Sequence, residues 1–306
     1  MWRRSPESVA GSVARLRIRR AVRPASRPPP HAATGRPLVF AHRGSSAAEP
    51  EHTLAAYLRA IGEGADGVEC DVRLTADGHL VCVHDRRLDR VSDGRGLVST
   101  STLAELNRLD FGSWHPGPGD DDDELVYDRD ARGRIRVLTL DNLLAAVRAA
   151  GRPMRLLIET KHPTRYGPAV EERLAAVLRR YGLDRPGPGN PVHVTAMSFS
   201  PLAVRRIHHL VPGLPTVMLL ELLPAGLRGG RLPFGSGIGG PGIRLLRAHP
   251  EVARRLHERG HQVYVWTVND PRDLDLVIEL GVEGIITDRP TFVRQRLDQL
   301  GLPHVG

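Results

Sequence analysis

Two acids spaced two residues apart, a third acid downstream, and two histidines near them have the types and spacing to do chemistry in this 306-residue chain. Glu69 and Asp71 lie in Gly67-Val68-Glu69-Cys70-Asp71, which reads as a strand. Side chains two apart on a strand face the same way, so both carboxylates point to one side and Cys70 to the other. Like charges so placed repel unless a cation or a fixed Arg or Lys neutralises them, and Glu159, in Ile158-Glu159-Thr160-Lys161, would complete an oxygen-rich set. With no thiol on that face the donors are hard, so the expected metal is Ca2+ or Mg2+ rather than zinc. A structural salt-bridge cluster would use the same residues. His42, in Ala41-His42-Arg43-Gly44, and His84, in Val83-His84-Asp85, could flank one substrate, one removing a proton while the other protonates a leaving oxygen. Either could instead be a hydrogen-bonded core histidine, but His-Arg-Gly at a strand end and His-Asp after a hairpin favour the chemical reading. Arg43 and Lys161 would neutralise phosphate oxygens as a transition state gains charge, or would form ordinary ion pairs with Glu51, Glu69 or Glu159.

Something must bring these residues together, and the pattern of the chain supplies it. From Pro37 onward short apolar runs alternate with helical periodicity, the signature of repeated βα units and a parallel sheet. The expected strands are residues 38–43, 67–74, 79–85, 156–161, 192–198, 216–221, 238–243, 263–269 and 284–288. The second and third form a hairpin around Ala76-Asp77-Gly78. Helices are expected at residues 53–64, with Thr53 as N-cap and Gly64 as stop, and at 140–150, 168–181, 201–210, 250–259 and 271–280. With the hairpin counted as one unit, eight strand positions with intervening helices predict an α/β fold, a closed TIM (β/α)8 barrel. In such a barrel the working residues sit at the C-terminal ends of the strands, where His42, Glu69, Asp71, Glu159 and Lys161 fall. Residues 85–137 are longer than an ordinary βα connection and are expected as a loop-rich insertion after the second strand unit, folding over the barrel mouth. The acidic run at 120–124 reads as a solvated loop rather than a calcium site.

Composition narrows the field. Hydrophobic residues make up 41% and charged residues 25%, enough apolar side chain for one globular core. The net charge of +8 raises nucleic acid or an anionic membrane as partners, but eight arginines crowd the first 27 residues. Residues 1–36 therefore read as a disordered, basic Arg/Pro-rich tail, and residues 37–306 as the barrel domain. Aromatic content of 4% leaves no basic stripe interleaved with aromatics, so no nucleic-acid partner is expected. No run reaches 18 uninterrupted apolar residues, and the tail lacks a secretory apolar core, so the expectation is a cytoplasmic protein without stable membrane insertion. Cys70 and Cys82 are too few for a disulfide framework and read as reduced, packed thiols. The oligomeric state is not readable.

Several fragments occur in order: Ala-His-Arg-Gly at 41–44, Pro-Glu-His-Thr at 50–53, Gly-Val-Glu-Cys-Asp-Val-Arg-Leu-Thr at 67–75, Val-His-Asp at 83–85, Ile-Glu-Thr-Lys at 158–161, Trp-Thr-Val-Asn at 266–269 and Thr-Asp-Arg-Pro at 287–290. The ordered set resembles the glycerophosphodiester phosphodiesterase family, within the phospholipase C-like phosphodiesterases, over residues 37–300. The resemblance implies His42 and His84 as the acid/base pair and Glu69, Asp71 and Glu159 as ligands of a divalent cation. Arg43 would contact phosphate, and Lys161 and Trp266 would line the pocket. Glu51 would support Arg43 or the metal region. The implied reaction is hydrolysis of a small glycerophosphodiester to glycerol 3-phosphate and an alcohol. In the implied route a glycerol hydroxyl, acidified by the metal, attacks phosphorus, and water then opens the cyclic product with the histidine roles reversed. Direct attack by water stays open. His52 stands where the family usually has Asn. Lysophospholipase D or phospholipase C-like action on lipids, for which residues 222–243 could form an apolar rim but read rather as a flexible connection, and a non-catalytic phosphate-binding module are the alternatives.

Overall fold

The computed structural model describes residues 35–115, 133–187, 189–223 and 228–302. The readings for the tail up to residue 34 and for the acidic run at 120–124 lie outside the described residues.

Eight parallel strands close into a ring: β1 (Leu38–His42), β2 (Gly67–Leu74), β4 (Met154–Thr160), β5 (Val192–Ser198), β6 (Thr216–Leu220), β7 (Ile238–Pro241), β8 (Gln262–Val265) and β9 (Gly284–Thr287). Pairing of β1 with both β9 and β2 completes the circle, so the ring has no free edge. The ninth strand, β3 (Leu80–Cys82), pairs antiparallel with the C-terminal half of β2, Val72 opposite Cys82 and Leu74 opposite Leu80. This is the predicted TIM barrel with the predicted hairpin in its second unit.

The period of two explains how the ring sorts its side chains. Phe40, Leu157, Met197, Val217, Leu219, Ile238, Tyr264 and Ile286 pack in one cluster that fills the barrel interior. The alternate residues, Val68, Cys70, Val72, Leu156 and Ile158 among them, face the helices and join a second cluster. Helices α1 (Leu54–Gly62), α3 (Leu140–Arg148), α4 (Ala169–Arg180), α5 (Pro201–Leu210), α7 (Glu251–Glu258), α8 (Pro271–Glu279) and α9 (Pro290–Gln299) lie around the ring. Thr53 caps α1 by accepting from Ala56 N at 3.2 Å, and Gly64 follows the helix with φ of +76°, the left-handed conformation that glycine allows at such an end. Three helices had no sequence-based prediction: α2 (Leu103–Leu106) within the expected insertion, α9, and the short α6 (Ile243–Ala248), which begins where the glycine-rich strand was expected to end.

The described part of the insertion is a folded unit with a core of its own. Val81, Val83, Leu88, Val91, Val98, Leu106, Phe111 and Val137 pack together, and α2 (Leu103–Leu106) carries a Thr102/Glu105 capping box. It adjoins the mouth through Arg90, which reaches Glu51 at 2.7 Å. The stretch 222–243 runs from the C-terminal end of β6 back to β7. Its start, at Leu222, and its end, past β7 at Gly242 and Ile243, adjoin the mouth; Phe234 precedes β7 and lies toward the opposite end, and residues 224–227 are outside the described residues. Its described part is mainly a connection, with Leu222 the large exposed apolar residue it sets beside the mouth. No described helix is long and apolar enough to cross a membrane.

Candidate active site

Strand parity carries Glu69 and Asp71 of β2 into the barrel interior at its C-terminal end, and the β2–β4 register sets Asp71 opposite Glu159. All three acids are buried, and one carboxylate oxygen of each lies within 4.8 Å of the others. Cys70, between them, faces away and is buried and unoxidised, as is Cys82.

Two cations thread this cluster. Lys161 Nζ lies 2.8 Å from Glu159 Oε1 and 3.2 Å from Asp71 Oδ1, and Arg43 Nε lies 3.1 Å from Asp71 Oδ2. Arg43 also donates to Glu51 Oε1 at 3.0 Å, and Arg90 donates to both oxygens of that carboxylate. Glu51 thus fixes Arg43 and does not join the carboxylate cluster. His52, buried beside Asp71, donates from Nε2 to Asp71 Oδ2 at 3.0 Å, and its Nδ1 lies 2.8 Å from the Tyr57 hydroxyl. Arg43 and His52 both have positive φ, at 58° and 60°, an uncommon conformation for side chains of that size. Gly44 between them has φ of +86°, and a Cβ there would lie 2.6 Å from the backbone of Ala56. Only glycine lets the loop after β1 press against α1 and turn Arg43 into the site.

Charge counting separates a metal site from a saturated salt-bridge cluster. Burial is the largest influence on each acid and opposes ionisation. For Asp71, Lys161, His52 and Arg43 outweigh it and hold the group well below its ordinary value. Glu69 is raised well above its ordinary value by burial and by Asp71, and Glu159 is pushed up to about 8 by the same two causes. With Lys161 and Arg43 beside them, Glu69 and Glu159 still resist ionisation, and a further positive centre there would favour it. The oxygen-only donor set fits a divalent cation held by Glu69, Asp71 and Glu159.

The sign of this shift gives a testable result. A carboxyl whose folded value is raised costs stability as pH climbs from its ordinary value of 4.5 to about 8, because the folded chain retains a proton that the unfolded chain has lost. Chelated protein should lose stability across that window, and saturating Ca2+ or Mg2+ should remove most of the loss. Denaturant melts at several pH values, with and without metal, measure this; a metal effect that does not grow with pH would count against it.

The two histidines share one construction. His42 Nδ1 donates to Asp288 Oδ1 and His84 Nδ1 to Asp85 Oδ1, each at 2.6 Å, which leaves each Nε2 for the cavity. Asp288 is oriented in turn by Ser46 at 3.0 Å and by Asn269, whose side-chain oxygen Oδ1 accepts from the Asp288 backbone N–H at 2.9 Å. Arg90 Nε binds Asp85 at 2.8 Å. Burial, with Arg43 and Lys161 nearby, lowers His84 to about 4 against the opposing pull of Asp71 and Asp85, so His84 is neutral near pH 7 and can accept a proton. The backbone of His84 is fastened by Arg73, which donates to its carbonyl at 2.9 and 2.6 Å.

One cavity of about 320 Å3 collects these groups: His42, Arg43, Glu69, His84, Glu159, Lys161 and Trp266 line it, with Phe199 and Glu221 also on its wall. All nine residues singled out from the sequence meet in this region, Asp71 and Glu51 through their contacts with the lining groups. Trp266 lies just beyond the end of β8, its indole N–H donating to Gly240 O at 2.7 Å and its ring meeting Phe199 edge-on, centroids 5.3 Å apart. Sequence reasoning assigned no role to Asp288, Asp85, Arg90, Phe199 or Glu221. Asp288 and Glu221 close predicted strands, and that position was the signal available. The arrangement combines a carboxylate cation site, two carboxylate-oriented imidazoles and two cationic side chains, which together suit cleavage of an anionic ester at phosphorus.

Comparison with known proteins agrees with this geometry. A model of the "Glycerophosphoryl diester phosphodiesterase family" matches residues 42–292. The chain is 47% identical over 256 residues to a "Probable glycerophosphodiester phosphodiesterase 1" of Mycobacterium tuberculosis, covering 84% of this chain and 90% of that protein. It is 34% identical over 262 residues to a "Glycerophosphodiester phosphodiesterase" of Bacillus subtilis, covering 83% and 84%. Among solved structures, it resembles an Oleispira antarctica phosphodiesterase in complex with the product sn-glycerol-3-phosphate, with a TM-score of 0.70, 25% identity, and coverage of 86% of this chain and 97% of that one.

Proposed function

The chain belongs to the glycerophosphoryl diester phosphodiesterase family, and from that premise we propose that it hydrolyses glycerophosphodiesters to glycerol 3-phosphate and an alcohol, using His42 and His84 for proton transfer. The observation that carries the reading is the convergence on one cavity of two His–Asp pairs and a three-acid cluster still short of positive charge. Glu69, Asp71 and Glu159 would hold the divalent cation, Ca2+ or Mg2+, and when bound it would supply Lewis acidity at an oxygen of the substrate. His84, neutral near pH 7, takes the proton from the attacking hydroxyl, and Asp85 steadies the imidazolium that forms. His42, oriented by Asp288, gives a proton to the departing alcohol oxygen. Arg43 and Lys161 face the phosphate oxygens as their charge grows, held ready by Glu51 and by the acid cluster. A cytoplasmic location belongs to the same proposal, in keeping with two buried thiols. Exposed Phe199, Leu202 and Leu222 beside the mouth favour a second reading, hydrolysis of lysophospholipids.

The test is release of glycerol 3-phosphate from glycerophosphocholine and glycerophosphoethanolamine with Ca2+, with Mg2+ and with chelator. Metal-dependent release that chelator abolishes is expected. No release from either diester with either metal, alongside turnover of a lysophospholipid, would move the assignment to the lipid reading.

A further inference from the structure

We infer that Glu221 selects the alcohol half of the substrate by charge, favouring a cationic alcohol over an uncharged one. The inference rests on the proposed reaction. Val217 and Leu219 of β6 face the barrel interior, so Glu221, next in the same parity, projects from the strand end into the mouth, where it lines the cavity. Counting around the ring, β6 lies four strands from β1 in either direction, so Glu221 stands diametrically across from His42 and Arg43. The cavity is thus polar in an ordered way. Its cations, acid cluster and histidines occupy the arc from β1 through β2 and β3 to β4, while Phe199, Trp266 and Glu221 occupy the arc of β5, β6 and β8.

The other acids of the cavity have cationic or hydrogen-bonding partners, but among the described residues no hydrogen bond or ion pair engages the Glu221 carboxylate. A diester with its phosphate beside Arg43 and Lys161 reaches across toward this unneutralised carboxylate. Two aromatic rings at right angles flank the path, the kind of wall that favours an ammonium group over a neutral one. A quaternary or primary ammonium on the leaving alcohol would meet a complementary charge there, and a sugar or glycerol alcohol would not.

The experiment compares wild type with Glu221→Gln on glycerophosphocholine and glycerophosphoglycerol in saturating metal. The wild-type ratio of kcat/KM, cationic over uncharged, should fall about fivefold in the variant, chiefly through KM, the size expected for one partly exposed ion pair. Inhibition of the wild type by free choline, set against its neutral carbon isostere, gives a second readout that needs no variant; choline should inhibit at several-fold lower concentration. A ratio that stays within twofold, or an equal fall on both substrates, overturns the inference, as does equal inhibition by choline and isostere. In those cases turnover by the wild type leaves the proposed reaction standing, whereas absence of turnover on either diester removes both.

Discussion

His42→Ala is expected to lower kcat on glycerophosphocholine by about a thousandfold, the middle of the range for removal of a positioned general acid or base. Asp288 lies 246 positions along the chain yet meets the imidazole at 2.6 Å, so the ring is held in one tautomer and orientation before substrate arrives. That preorganisation is lost with the ring. The side chain is not among the three acids of the cluster, so metal-induced stabilisation should survive in the variant. KM should move by no more than a few-fold, because Arg43, Lys161 and the cavity wall remain. A loss of kcat below about tenfold would show that His42 is a structural histidine and that proton transfer to the leaving group comes from elsewhere.

Asp71→Asn should bring the second large effect, on cation binding and stability together. Asp71 is the most connected acid of the site, touching Lys161 at 3.2 Å, Arg43 at 3.1 Å and His52 at 3.0 Å. Removing its charge takes from Lys161 and Arg43 the carboxylate they share, while Glu69 and Glu159, relieved of its repulsion, hold their protons less tightly and offset part of the loss. Breaking a buried ion pair from one side costs about 3 kcal/mol or more, and the loss of a ligand should weaken metal binding by at least about a hundredfold. Urea denaturation without metal and calorimetric titration with Ca2+ and Mg2+ measure the two parts. Wild-type metal affinity in this variant would remove Asp71 from the ligand set.

The barrel was legible because its strands are short apolar runs and its helices carry caps. Thr53 and Gly64 bound α1 as expected from residue type alone. The reactive residues were legible because they close strands, and strand parity sorts Glu69 and Asp71 from Cys70 without tertiary knowledge. What sequence reading did not reach depends on adjacency across the ring. Asp288 beside His42, and Arg90 beside Glu51, are contacts between residues far apart in the chain, and Asp288 and Arg90 each read as ordinary charged positions. His52 read as a departure from a family pattern, and only the closeness of the loop after β1 to β2 makes it a support for Asp71. Likewise α6, which follows directly on the glycine-rich strand, had no prediction, because four extended residues followed at once by a short helical turn have no separate periodicity.

The alternation along β2 has a further effect. Acids at 69 and 71 and apolar or thiol side chains at 68, 70 and 72 make the strand incompatible with any neighbouring register, since a slip of one residue would drive two carboxylates into the layer beneath the helices and turn Val68 and Cys70 toward the mouth. The pattern that supplies the acids of the cluster is therefore also an alignment mark for closing the ring, and a chain that assembles its barrel correctly has, by the same act, assembled the floor of this cavity.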